Sequence, residues 1–314
     1  MLKVYRGAVS KRLKNPVVSI GVFDGVHRGH SAVVETIIRR SEEMDGEPVI
    51  VTFWPHPRIV LGKTPEKLKL LTTLHEKRVR LESLGVRHFL IIPFSGDLSL
   101  LPACEFVKKY LVAGMGLKHL VFGHDNHFGR GREGSFENMK DCARKLDFTI
   151  EQVEPLFYKG ERISSSSVRM ALLSGNIRLA NSLLGYPYTM EGKIVGGMKI
   201  GRKLGFPTAN MHIDDPHKLV PSTGVYAVGV EAGKKLFRGM MNIGYRPTLK
   251  RRRDHKVLEV HIIDFKGDIY NRNLQIRFIE RIRDEKEFAG LEELKGQLKK
   301  DKEKITELFS KLKP

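Results

Sequence analysis

Gly21 to His30 reads GVFDGVHRGH, between the apolar run NPVVSI (Asn15 to Ile20) and a helical pattern that starts near Gly29 or His30. A strand that turns through glycines into a helix is the repeating unit of parallel α/β sheets, because parallel neighbours need a crossover. Outward from this stretch the same unit recurs. A helix over about His30 to Met44 leads to PVIVTF, then a helix around Leu74 to Leu84 leads to HFLIIPF. A helix around Ala103 to Leu111 then precedes KHLVFG, and one around Glu137 to Leu146 precedes FTIEQVEPLF. The alternation predicts a doubly wound parallel sheet with helices on both faces, whose ligands bind beyond the carboxyl ends of the strands. GVFDGVHRGH falls at such an end.

Gly21, Gly25 and Gly29 let the backbone approach a ligand closely, and the helix start beyond them offers unpaired N–H groups to a phosphate. His27 and His30, three residues apart, place imidazole donors on one side of the same phosphates, which suits nucleotidyl transfer. A metal reading needs further ligands, and none lie nearby in the sequence. The ten residues fit GxFDGxHxGH, the HxGH signature shared by class I aminoacyl-tRNA synthetases and small adenylyltransferases, so the motif alone leaves the acceptor open.

Three more stretches belong to this half. In TFWPHP (Thr52 to Pro57), two prolines flank His56 and stiffen a strand-end loop. In ISSSSVR (Ile163 to Arg169), Ser164 and Ser165 are read as capping the following helix and facing a phosphate, with Arg169 adding a charged fork. The glycine-rich VFGHDNHFGRGREGS (Val121 to Ser135) presents Asp125, Asn126, His127, Arg130 and Arg132. A plain turn, a helix cap or a basic surface loop would account for each of these stretches taken singly.

The formal net charge is +19, from 55 Lys and Arg against 36 Asp and Glu. Such a surface attracts polyanions and speeds the arrival of phosphorylated ligands. Nucleic acid is the competing partner. The basic residues are spread along the chain, however, densest in LKRRRDHK (Leu249 to Lys256) and the last seventeen residues, without a helix-turn-helix, zinc-finger or aromatic RNA-binding signature. No specific nucleic acid is therefore expected. The start, MLKVYRGAVSKRLKN, has no apolar run of signal-peptide length, and no stretch approaches a membrane span. The expectation is a soluble, cytoplasmic chain with no membrane partner. Cys104 and Cys142 are read as structural, forming neither a metal-type cluster nor a disulfide framework.

Together GVFDGVHRGH, TFWPHP, FGHDNHFGRGREG and ISSSSVR resemble the FMN adenylyltransferase module of prokaryotic bifunctional riboflavin kinase/FAD synthetases. GRKLGFPTAN (Gly201 to Asn210), GVYAV, MNIGYRPTL and LEVHIIDFKGDIY, in that order, resemble the family's kinase module. The chain departs from the family pattern at Asn126, where phenylalanine is usual, and at Ser166, where threonine is usual. The resemblance implies residues 1–184 as the adenylyltransferase domain and 185–314 as the kinase domain. It implies ATP binding by Gly21, Phe23, Asp24, Gly25, Ser164, Ser165 and Arg169, with FMN held by His56, Asp125, Asn126 and Arg130. Riboflavin, FMN, FAD and ATP are the implied small-molecule partners.

The second half has a different texture. TMEGKIVGG, KLFRGMMNIG, KVLEVHIIDF and NLQIRFIERI are β-rich runs between glycine-rich turns, followed by a helix from about Glu292 to Leu312. These predict an antiparallel barrel with a terminal helix, starting near Leu184 to Pro187. A kinase must neutralise phosphate charge with a metal and take a proton from an alcohol. Thr208 and Asn210 alternate on an extended segment stiffened by Pro207, so their oxygens share a face suited to Mg²⁺. Glu259, in an apolar β-rich run, is the candidate base, at the position of the family's catalytic glutamate, with Asp264 and Asp268 as weaker rivals. Gly201, Arg202, Gly205, Pro207, Asn242, Arg246 and Arg283 are expected to line the ATP and riboflavin sites, with Arg281 and Glu285 nearby.

Overall fold

The computed structural model describes residues 1–9, 11–62, 68–196, 204–233, 235–245, 256–265 and 267–311. It divides into two compact units, Met1–Ser165 and Ser166–Pro314.

The first unit runs β1 (Lys3–Arg6), β2 (Val17–Ile20), α1 (Arg28–Glu43), β3 (Pro48–Trp54), α2 (Pro57–Leu61), α3 (Leu74–Ser83), β4 (His88–Pro93) and α4 (Gly96–Ser99). It continues through α5 (Ala103–Phe106), a wider π turn at Val107–Val112, α6 (Ala113–Met115), β5 (His119–Gly123), α7 (Phe136–Leu146), β6 (Thr149–Val153) and the small hairpin β7 (Phe157–Tyr158) and β8 (Glu161–Arg162). The single helix expected over Ala103 to Leu111 is thus a composite.

Six strands form one parallel sheet in the order β1-β4-β3-β2-β5-β6. The central strands carry near-continuous apolar runs because both sheet faces are covered. Alternate residues divide between two cores. Val18, Ile20, Val49 and Val51 pack with Phe106, Leu111 and Met139 on one face. Val17, Ile50, Phe89 and Val121 pack with Val33, Val34 and Ile37 of α1 and Leu81 of α3 on the other. The chain moves from β2 outward to β3 and β4, then returns to the far side of β2 for β5. The strand order therefore reverses between β2 and β5, the crevice where open α/β sheets place their ligands.

Cys104 and Cys142 are joined by a disulfide, which corrects the expectation that they form none. They lie 38 residues apart, and only the packing of α5 and α7 on one sheet face brings their Cα atoms to 5.8 Å. Spacing along the chain carries no trace of that proximity.

The second unit contains α9 (Ile177–Leu184), β9 (Thr189–Val195), β10 (Ala209–His212), β11 (Gly224–Ala232), β12 (Lys235–Tyr245), β13 (Lys256–Ile262), β14 (Asn273–Arg283) and α10 (Leu291–Lys311). Before it, α8 (Ser165–Leu173) runs across the division between the units. The strands close an antiparallel barrel in the order β10-β13-β12-β11-β14-β9. Asn181 of α9 donates to the Phe278 carbonyl at 2.9 Å and accepts from the Tyr188 amide at 2.8 Å. These bonds fasten α9 to the barrel, so the compact unit begins ahead of the first barrel strand. Ile305 and Leu298 of α10 pack over Val225, Ala227, Met240 and Ile282 on the barrel's outer face.

Candidate active sites

The loop between β2 and α1 is bent through three left-handed residues: Phe23 (φ 50°), Gly25 (φ 84°) and Val26 (φ 37°). Such a backbone persists only where its surroundings hold it. Asp24, 4% exposed, accepts the Leu71 amide at 2.9 Å and the Thr72 amide at 3.2 Å. The Gly25 amide donates to the Thr72 hydroxyl at 3.1 Å, and a Cβ on Gly25 would stand 2.6 Å from the Leu71 side chain. The Ser165 hydroxyl donates to the Asp24 carbonyl at 2.9 Å. The segment leading into α3 is thus the mould of the glycine loop. Nothing in the sequence of either stretch announces the other.

His27 caps α1, its Nδ1 accepting the His30 amide at 3.4 Å. That role leaves the proton on Nε2, which becomes the donating nitrogen. The rings of His27 and His30 stack at 3.7 Å between centroids. His30 titrates well below an ordinary histidine, first because of burial and then because His27 and Lys77 are close, so it is a neutral imidazole at pH 7. Its buried Nδ1 has no hydrogen-bond partner among the described residues. The two imidazoles thus stand beside the first turn of α1, whose open N–H groups carry positive potential.

Helix α8 begins at Ser165 itself. Ser165, Ser166 and Ser167 therefore form the helix's first turn, and Ser164 stands immediately before it. Arg169 follows one turn later on the same helix. His56 caps α2 by accepting the Arg58 amide at 3.0 Å, and it is 7% exposed. The loop after β5 emerges on the other side of the strand-order reversal. Its Asn126 side chain donates to the Ile20 carbonyl at the end of β2, tying the two loops together. Phe128 is buried beside Phe106 and Phe122. Asp125 receives Arg162 at 2.8 Å, a partner on β8 that the sequence reading did not single out. Arg130 is exposed, with its guanidinium 3.9 Å from Glu133.

In the barrel, strand register does what the motifs could not. Asn210 of β10 lies directly opposite Glu259 of β13, and Glu259 lies directly opposite Asn242 of β12. Directly opposed residues share a face, so the three form one polar row across three strands. The alternating neighbours Met241 and Val260 are buried on the other face. Thr208 precedes the row by two residues. The Pro207 carbonyl accepts from His261 Nδ1 at 2.9 Å, which pins the chain entering β10. Gly205 adopts φ 83° in the turn before it.

Glu285 comes to the same end of β12, its carboxylate packed against Gly244 so closely that a side chain there would collide with it. Burial raises its pKa, helped by the Glu259 and Glu287 charges and opposed by Arg283. The Arg283 guanidinium forks onto Asp301 of α10, with Nε 2.9 Å and a terminal nitrogen 2.8 Å from one carboxylate oxygen. Asp301 is 2% exposed, and Gln297 also donates to it at 2.9 Å. Gly201, Arg202 and Arg246 lie outside the described residues. No group of three or more His, Cys, Asp or Glu suited to a metal occurs among the described residues.

Residues 9–167 match the FAD synthetase family and residues 184–309 the riboflavin kinase family. The chain is 38% identical over 298 residues to the bifunctional riboflavin kinase/FMN adenylyltransferase of Bacillus subtilis, covering 94% of this chain and 93% of that protein. It is 39% identical over 286 residues to the protein of the same name from Pseudomonas fluorescens, covering 91% and 90%. A crystal structure described as a macrolide-efflux protein from Streptococcus pneumoniae matches with TM-score 0.86 and 31% identity over 96% of this chain and 97% of that one. Among the described residues, no helix is long and apolar enough to cross a membrane. With both halves matched in order and relatives alike over nearly their whole length, this chain belongs to the bifunctional riboflavin kinase/FMN adenylyltransferase family.

Proposed function

We propose that the chain makes FAD from riboflavin in two ATP-dependent steps, one in each half. In the second half, the terminal ribityl hydroxyl attacks the γ-phosphorus of ATP, forming FMN and releasing ADP. Glu259 takes the hydroxyl proton, and Asn242 and Asn210 flank it in the row that carries this reading. The hydroxyl of Thr208 and the carboxamide oxygen of Asn210 are hard, neutral donors of the kind Mg²⁺ accepts beside phosphate oxygens and water. Bound there, Mg²⁺ supplies charge neutralisation on the ATP phosphates.

In the first half, an FMN phosphate oxygen attacks the α-phosphorus of a second ATP, and pyrophosphate leaves as FAD forms. FMN phosphate is already ionised near neutral pH, so this step needs no base and depends on positioning and charge stabilisation. The glycine loop and the first turn of α1 hold the triphosphate, while His27 and His30 donate to the oxygens on which charge develops. Ser164, Ser165 and Arg169 bind ATP, and His56, Asp125, Asn126 and Arg130 shape the FMN side. Functionally we place the boundary of the two domains at residues 184/185, and we place the enzyme in the cytoplasm, where ATP and riboflavin meet.

Purified protein incubated with riboflavin, ATP and Mg²⁺ is expected to show FMN rising first and FAD following. Flavin that stays unchanged while ATP is not consumed would refute the reading.

A further inference from the structure

Lys77 is a charged residue that the two-step scheme leaves without a task. It sits on the first turns of α3 at 2% exposure. Its Nζ donates to the Val22 carbonyl at 2.6 Å, inside the glycine loop and 55 residues away in sequence. The ammonium also lies 5.8 Å from the centre of the Trp54 ring at the end of β3. The Thr52 hydroxyl reaches the same carbonyl at 3.3 Å.

A buried lysine is costly, and an apolar side chain of similar length would fill the slot more cheaply. Thr52 also donates to that carbonyl, so holding the loop does not by itself account for a buried charge. The titratable groups that act on it or feel it are Asp24 and His30. Asp24 offers partial compensation, because its carboxylate already accepts the Leu71 and Thr72 amides. His30 offers none. The loop thus has a positive charge fixed behind it, at a strand-order reversal and a helix N-terminus, both of which favour anions.

We propose that Lys77 is a positioning residue for adenylyl transfer, holding the glycine loop in its bent form and supplying a fixed positive charge behind the bound phosphates. The inference rests on the adenylyltransferase reading of this half. Burial lowers the lysine pKa to about 8, against the raising effect of Asp24, so the charge is present at pH 7 and is lost as pH climbs through that value. The same charge helps to keep His30 neutral.

The test uses the full-length enzyme converting FMN to FAD across pH, with Lys77→Met and Lys77→Arg variants. Wild-type turnover shows that the adenylyltransferase reading stands, independently of how the variants behave. Lys77→Met is expected to lose about 30-fold or more in kcat, as removal of a pre-set charge does, with KM for ATP and FMN changed less than about threefold. Its acid limb should move to higher pH, because His30 loses a neighbouring charge. Lys77→Arg, always protonated, is expected to recover most of the rate and to hold it at pH 9, where wild type declines. A methionine variant with wild-type kcat, an arginine variant no better than methionine, or identical alkaline limbs for arginine and wild type would each overturn the proposal. If the methionine variant does not fold, the comparison of arginine with wild type decides alone.

Discussion

The two halves meet the same demand, control of a triphosphate, with opposite architecture. In the first, the proposed binding groups are consecutive in sequence, and distant residues hold them in place. GVFDGVHRGH carries the loop, the helix start and both imidazoles, while Asp24, Gly25 and Val22 are fixed by Leu71, Thr72 and Lys77. In the second, the groups are scattered, and regular pairing assembles them. Asn210, Glu259 and Asn242 come from three strands and become neighbours only because β10, β13 and β12 are adjacent in that register. A bent loop needs a mould, whereas a row on a sheet needs only its strand partners.

The difference makes lesions separable. The largest expected effect is on the barrel row. Glu259→Gln should slow riboflavin phosphorylation by about 10²- to 10⁴-fold, the usual cost of losing a general base, while FMN supplied directly is still converted to FAD. Initial rates with each flavin check this. The mirror lesion, His30→Ala, should slow FAD formation by about 10²- to 10³-fold, as loss of a donor to developing charge does, and leave FMN formation intact.

Smaller effects test the mould. The disulfide closes a segment of 38 residues that includes β5 and the loop after it. Replacing Cys104 and Cys142 with alanine should destabilise the first unit by about 2–4 kcal/mol, read as a shift in denaturant midpoint. Gly25→Ala places a side chain at φ 84° and 2.6 Å from Leu71. It should cost about 1–3 kcal/mol and slow FAD formation more than FMN formation. A larger loss in the kinase step would mean that the glycine loop does not serve adenylyl transfer.

The same contrast explains what could be read from the sequence. The parallel sheet was legible because apolar runs of strand length alternate with helical patterns, and the glycine loop between β2 and α1 was legible because its residues are contiguous. The barrel class was legible from its β-rich runs, and Glu259 and Asn210 stood out singly. Their adjacency did not, since register is a property of pairing. Lys77 and Arg162 were missed because each acts on a loop far from it in sequence, 55 and 37 residues away. A lysine inside LHEKRVRLES looks like any solvated helix charge until the fold buries it. The disulfide was misread for the same reason. For Arg283, the run RIRDE singled out the residue but not its partner, Asp301 of α10.

Complementation between the halves tests the central claim of two separate ATP sites most directly. Glu259→Gln protein given riboflavin, ATP and Mg²⁺ should form little FMN, and His30→Ala protein should accumulate FMN without FAD. Mixed in one tube, the two variants should carry riboflavin through to FAD. If the mixture makes no FAD, or if either single change abolishes both reactions, the two activities do not reside in separate halves of this chain.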